Sequence, residues 1–313
     1  MRIILHHGPL GTNTKRLPKL PDETFVFVCI EDFSVGPLSD WQDRAKFQES
    51  RSDFWQRTEL LTLPDGSKNQ YFVWHQSLPR FDLVEMMKGG IAVEDIPMPQ
   101  NLNELIPTAK TVEIWYDLTV RGHVFLWHTV AALQDYRIDP KLVAACVLSD
   151  HPKEEPRKFW SGMLLDKVDR AIPAIRIPER EWRLALRYWD ALTKLPRPVE
   201  QTLIQGAEEP VRKVLATISR RHPIEALGLS NIQERLLRST RREWQKMAMT
   251  IGNAMVAGYE EHDPVGDFVL QFELSEMARM TPPLVEVDGE GAMQFCRVRL
   301  TSHGETELRS LSA

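Results

Sequence analysis

Short apolar runs that stop abruptly at polar residues punctuate the first half of the chain. They are RIILH from Arg2 to His6, TFVFVCI beginning at Thr24, TVEIWY from Thr111 to Tyr116, and LVAACVL from Leu142 to Leu148. Continuous apolar, β-branched runs of this length read as strands buried on both faces, the usual state in a parallel sheet. Between them the period changes. A helix is expected from Asp40 through Trp41, Phe47, Phe54 and Trp55, and another carries the apolar stripe Val124, Trp127, Val130, Ala131 and Leu133. Repeated strand–loop–helix units predict a parallel α/β sheet with helices on both faces and right-handed crossovers. Leu60 to Leu78 reads as a hairpin turning at Pro64-Asp65-Gly66, and Phe81 to Lys88 as a short helix ended by Gly89-Gly90. This stretch, about 60–110, resembles a lid inserted above the sheet edge.

Past Pro156 the pattern becomes helical, over Lys158 to Val168, Glu179 to Leu195 and Glu200 to Arg221. From Gly228 a capping-box pair, Ser230 and Gln233, opens NIQERLL. A second helix carries Trp244, Met247 and Met255, a third spans Asp267 to Met280, and a hairpin turns at Asp288-Gly289-Glu290-Gly291. Three helices and a hairpin predict a winged-helix-like unit. The expected organisation is an α/β domain over 1–155, a helical connector over 156–224, and the winged-helix-like domain over 225–313.

Every predicted strand delivers its polar residues to one edge of the sheet, where open parallel sheets bind ligands. That edge collects His6, His7, Asp32, Ser34, Asp117, Arg121, His123, Asp150 and His151. The loop HGPLGTNTKR from His7 to Arg16 has the layout of an anion-binding strand-to-helix turn. Trp41, Arg44, Gln48, Arg51 and Trp55 share one side of the next helix. A small anionic ligand, phosphate- or nucleotide-like, would meet Lys15, Arg16, Arg44, Arg51 and Arg121. Asp32, Ser34, Gly36 and Asp117 complete the expected lining. Asp32, Asp117 and Asp150 are the candidate ligands of a divalent metal, and His7, His123 and Asp32 the candidate catalytic groups of a metal-dependent hydrolase or transferase. The residues leave open whether the protein is an enzyme.

Charge sharpens the choice of partner. The 313 residues carry a formal net charge of −5, with no overall basic footprint for nucleic acid. The third C-terminal helix sets Asp267, Glu273 and Glu276 against Arg279, which opposes entry into a DNA groove. Arg235, Arg238, Arg241, Arg242 and Lys246 cluster earlier and could track phosphates. With Phe268, Val269 and Phe272 apolar, a protein partner or a homodimer through this unit is expected ahead of nucleic acid. The three cysteines, Cys29, Cys146 and Cys296, are odd in number and lie in apolar segments, so they read as reduced. No apolar run is long enough to span a bilayer, and a cytoplasmic protein without a membrane partner is expected.

EDFSVGPL, the glycine-bearing first loop ending in Lys15, downstream Arg51 and Trp55, and the EIWY…HVFLWHTVAAL unit resemble the bacterial domain-of-unknown-function family numbered 1835. GLSNIQERLL through GDFVLQFELSEMA, and PPLVEV to RLTSHGETEL, are similar to the C-terminal region of its longer members. The resemblance covers roughly 1–150 and 225–311. Members commonly carry Gly-Asp-Ser in the first loop, where this chain has His7-Gly8-Pro9, which weakens any carry-over to that loop. The resemblance implies no established activity.

Overall fold

The structure, a computed structural model, describes residues 1–7, 24–29, 32–59, 106–147, 174–195, 197, 199–222 and 228–311. Among these, the chain runs β1 (Arg2–His7), β2 (Thr24–Cys29), α1 (Arg44–Glu59), β3 (Thr111–Tyr116), α2 (Val120–Asp135), β4 (Val143–Val147), β5 (Ile175–Arg176) and α3 (Glu179–Leu192). It continues through α4 (Gln201–Gln205), α5 (Glu209–Arg221), α6 (Asn231–Ser239), β6 (Gln245–Lys246), α7 (Met247–Glu260) and α8 (Asp267–Arg279). β7 (Val285–Asp288), β8 (Arg297–Leu300) and α9 (Ser302–Ser310) follow. The fold is mixed α/β, and none of these helices is long and apolar enough to cross a membrane.

The described residues form two compact units. In the first, built from 1–34 and 106–191, the sheet order is β2-β1-β3-β4-β5. The first four strands are parallel, and β5 lies antiparallel to β4 at the edge. Ile3, Ile4 and Leu5 of the interior strand β1 are wholly buried, as a strand covered on both faces requires. Glu113 is the exception to the apolar pattern of β3. Arg2 grips it with two hydrogen bonds of 2.8 Å, and the Trp115 indole donates a third at 3.0 Å, so the buried carboxylate is paired. Trp127 on α2 meets Tyr188 on α3, and Trp182 donates from its indole to Gln134 at 3.0 Å.

The second unit takes 35–59 and the described residues from 192 onward. Its core gathers Val35 and Phe54 with Ile232, Leu236, Ile251, Leu270 and Leu274. The chain therefore changes units between Ser34 and Val35, inside the segment that a 1–155 domain keeps whole. The reason is burial: Val35 is nearly inaccessible, and Phe54 sets its ring edge against Phe272 of α8. β6, β8 and β7 form an antiparallel sheet in that order. Ser230 and Gln233 make the reciprocal capping box expected of them, with bonds of 3.2 and 3.1 Å.

Several expectations need correction. Trp244, expected on the second C-terminal helix, precedes β6, and that helix begins at Met247. The helix expected from Asp40 begins at Arg44, because Asp40 takes a left-handed φ of 62° that no helix can include. The stretch expected to be helical over Glu200 to Arg221 is helical in two pieces, α4 and α5. Pro210 has no N–H to give a preceding turn, so it opens α5 and cannot continue α4. The strand expected from Leu142 begins at Val143, after a short turn capped by Asp139. The expected hairpin from Leu60, the short helix from Phe81 and the helix from Lys158 lie outside the described residues.

Candidate functional site at the strand ends

The ends of β2 and β3 carry the same small device. Asp32 Oδ1 accepts from the backbone N–H of Ser34 at 2.9 Å and from the Ser34 hydroxyl. Asp117 Oδ1 accepts from the backbone N–H of Thr119 at 3.0 Å and from the Thr119 hydroxyl. Each is an Asp–x–Ser/Thr turn, in which a short acceptor bends the chain back two residues on. Thr119 does a second job as the N-cap of α2, accepting from Gly122 N at 3.1 Å. Gly122 must be glycine here, because a Cβ would collide with the carbonyl and carboxylate oxygens of Asp117.

Arg121, in the first turn of α2, brings its Nε to 3.6 Å from Asp32 Oδ2. The first turn following β3 is thereby tied to the turn that ends β2. Asp32 is held from beneath by its neighbour. Phe33 stacks on His128, with ring centroids 3.8 Å apart, and Trp189 meets both rings edge-on. The stack fixes the backbone on either side of Phe33, and with it the direction of both Asp32 and Ser34.

His123 lies one turn into α2 and is buried against Tyr116 and Trp127. Its Nδ1 lies 2.9 Å from the Thr119 carbonyl. A carbonyl only accepts, so Nδ1 carries the proton and the neutral ring keeps an acceptor at Nε2. Burial pushes its pKa below the usual histidine value, against the smaller opposing pull of the Thr119 carbonyl and Asp117.

Of the residues expected at this edge, the structure brings together Asp32, Ser34 and Arg121, with Asp117 and His123 on the turn into α2. Gly36, Arg44 and Arg51 belong to the second unit. There Arg51 is buried and donates to the carbonyls of Val35 and, at 3.3 Å, Pro37, while its guanidinium lies over the rings of Phe54 and Trp55. Those bonds clamp the 35–37 segment onto α1. His7 ends β1, while Lys15, Arg16, Asp150 and His151 lie outside the described residues. Among the described residues no three His, Cys, Asp or Glu side chains are grouped to hold a metal ion. Phe33, Thr119 and His128 are the positioning residues that sequence reasoning passed over. The signal for Thr119 was present, since Asp-Phe-Ser and Asp-Leu-Thr repeat one spacing at two strand ends.

The chain matches no protein-family model and no curated protein.

Proposed function

We propose that the parallel-sheet unit binds a small anionic ligand, phosphate- or nucleotide-like, at the carboxyl ends of β1, β2 and β3. The observation that carries this reading is the strand order. β1 and β3 lie side by side and parallel, and the chain leaves β1 for β2 on one side but leaves β3 for β4 on the other, so the strand order reverses between β1 and β3. That reversal opens the crevice in which doubly wound sheets bind ligands. Lys15 and Arg16 follow β1 in the sequence, and Arg121 stands in the first turn of the helix that follows β3. Arg121 supplies the charge-assisted donor to the anion, and Asp32 and Asp117 orient donors of the ligand. A hydrolase or transferase version would draw on His7 or His123 as base and Asp32, Asp117 and Asp150 as metal ligands.

The test is thermal denaturation of the full chain against nucleotides, sugar phosphates and divalent cations. A ligand at about a hundred times its dissociation constant stabilises by roughly 2.7 kcal/mol. Arg121→Ala and Asp32→Ala are each expected to abolish the shift. A shift that survives both substitutions removes this site.

A second reading, for the C-terminal unit, is a winged-helix-like module that contacts protein. The order helix, strand, helix, helix, strand, strand supports it, with β8 between β6 and β7. Three of its five clustered basic residues are engaged within the chain: Arg235 with Asp263, Arg242 with Glu305, and Arg238, which donates to the Leu311 carbonyl at 2.9 Å. Met249 and Val256 of α7 meanwhile stand exposed. Those features favour self-association or a protein partner over DNA. Sedimentation that stays monomeric at every concentration would end the homodimer version, and salt-sensitive binding to duplex DNA would reverse the preference.

A further inference from the structure

The second unit contains a cavity of about 380 Å³ that the strand-end reading does not use. Its volume falls in the range of small-molecule sites. Val35, Phe54, Ile232 and Val269 supply apolar wall. Into this wall are set Ser230, His222 and Glu273, from three different elements of the unit, along with the polar side chains of Ser39 and Arg221.

Each of the three has hydrogen-bonding capacity that the described residues do not take up. Glu273 accepts at one oxygen from Gln233 Nε2 at 2.9 Å, and no described residue donates to the other. The Ser230 hydroxyl oxygen accepts from Gln233 N at 3.2 Å and retains a second lone pair. The His222 ring makes no hydrogen bond with a described residue. Ser230 is buried and His222 and Glu273 are half-buried, so a ligand entering the cavity can reach acceptor positions that the protein leaves open.

The charges around the cavity select its kind. Arg221 also lines it, but Asp263 pairs with that guanidinium. Burial holds His222 below its ordinary pKa, with Arg221 adding to the effect, so the ring is a neutral acceptor. Burial also holds Glu273 above the usual carboxylate range, helped by Glu276 and opposed by Gln233 and Arg221. A bound cation would relieve that penalty, whereas an anion would add to it.

The geometry points to a binding site for a small primary amine with a compact hydrophobic body. Its ammonium would donate to Glu273, His222 and Ser230, and its body would pack against Phe54, Ile232 and Val269. An ammonium has three N–H donors and no acceptor, which matches three acceptors around one apolar wall. The site is independent of the strand-end reading and stands or falls without it.

Benzylamine, benzyl alcohol and benzoate, tested as probes against the full chain by calorimetry and thermal denaturation, separate the outcomes. Benzylamine is expected to bind, benzyl alcohol at least tenfold more weakly, and benzoate not at all. Glu273→Gln is expected to weaken benzylamine tenfold or more while leaving the unliganded melting temperature equal or higher. Val269→Phe, which fills the cavity, is expected to abolish binding. Arg121→Ala leaves benzylamine binding unchanged, which separates this site from the strand ends. No binding by any probe, benzoate binding as tightly as benzylamine, or benzylamine affinity unmoved by Glu273→Gln overturns the assignment.

Discussion

Phe33 lies flat on His128, with ring centroids 3.8 Å apart and planes 18° apart, and Trp189 closes the edge of both. Phe33 sits between Asp32 and Ser34, so the stack is the physical anchor of the turn that presents them. Phe33→Ala is expected to cost about 3–5 kcal/mol, the usual range for emptying a buried aromatic site. Urea denaturation followed by circular dichroism measures it. A loss below about 1 kcal/mol would show that the stack does not anchor the turn.

Two glycine substitutions on two helices should have opposite signs. Gly122→Ala forces a methyl against Asp117 and should unfold the start of α2. A Cβ on Gly252, within α7, meets nothing within 4 Å, so Gly252→Ala should stabilise by about 1 kcal/mol through helix propensity alone. Thr119→Ala, which removes the α2 cap, should cost about 1–2 kcal/mol. Melting temperatures of the three variants check the signs directly.

Asp263 is the shared acceptor of a buried cluster. Arg221 bonds one carboxylate oxygen, while Arg235 and Asn231 bond the other at 2.6 and 3.2 Å. Arg235 also donates to the Asp263 carbonyl at 3.1 Å, and Gly258 leaves room for its guanidinium. Asp263→Ala would leave two guanidinium groups without their buried counter-charge, and the expected loss is about 3–5 kcal/mol. Equilibrium unfolding of the variant measures it, and a loss within about 1 kcal/mol would mean the cluster relaxes into water.

Histidine and glutamate should give opposite pH slopes. His123 titrates in the folded protein below its unfolded value near 6.5, so the unfolded chain takes up the proton first. Its contribution is present above that value and is lost as pH falls through the lowered folded value. Glu273 titrates above its unfolded value near 4.5, so the folded protein holds the proton longer. Its contribution is full below that value and is lost as pH rises through the raised folded value. His123→Gln should flatten the acid-side loss, and Glu273→Gln should flatten the loss on the rising side. Denaturation midpoints across pH, variant minus parent, read both; an unchanged slope in either variant removes that residue from the account.

Burial, with Glu113 nearby, raises the Cys146 thiol to about 11, leaving it almost entirely protonated at neutral pH. Native protein should therefore resist alkylation at Cys146, and denatured protein should react. Mass mapping of a timed iodoacetamide reaction decides it.

Strands, caps and the polar strand ends were legible in the sequence because each is a local property. An apolar run of five or six residues bounded by polar ones is a buried strand almost wherever it sits. Ser230 finds Gln233 only three residues away. The same locality explains why Asp32 and Asp117 could be placed at one edge of the sheet. Helical periodicity, by contrast, says that a face is covered without saying what covers it. Phe54 and Arg51 have the spacing of a helix that could face a ligand, yet Phe54 buries in the second core and Arg51 spends its donors on Val35 and Pro37. The exchange of units between Ser34 and Val35, the stack beneath Asp32, and the meeting of His222, Ser230 and Glu273 at one cavity join residues far apart in the chain. Those were decided by tertiary structure alone, because burial energy depends on which surfaces meet, and no window of sequence contains both.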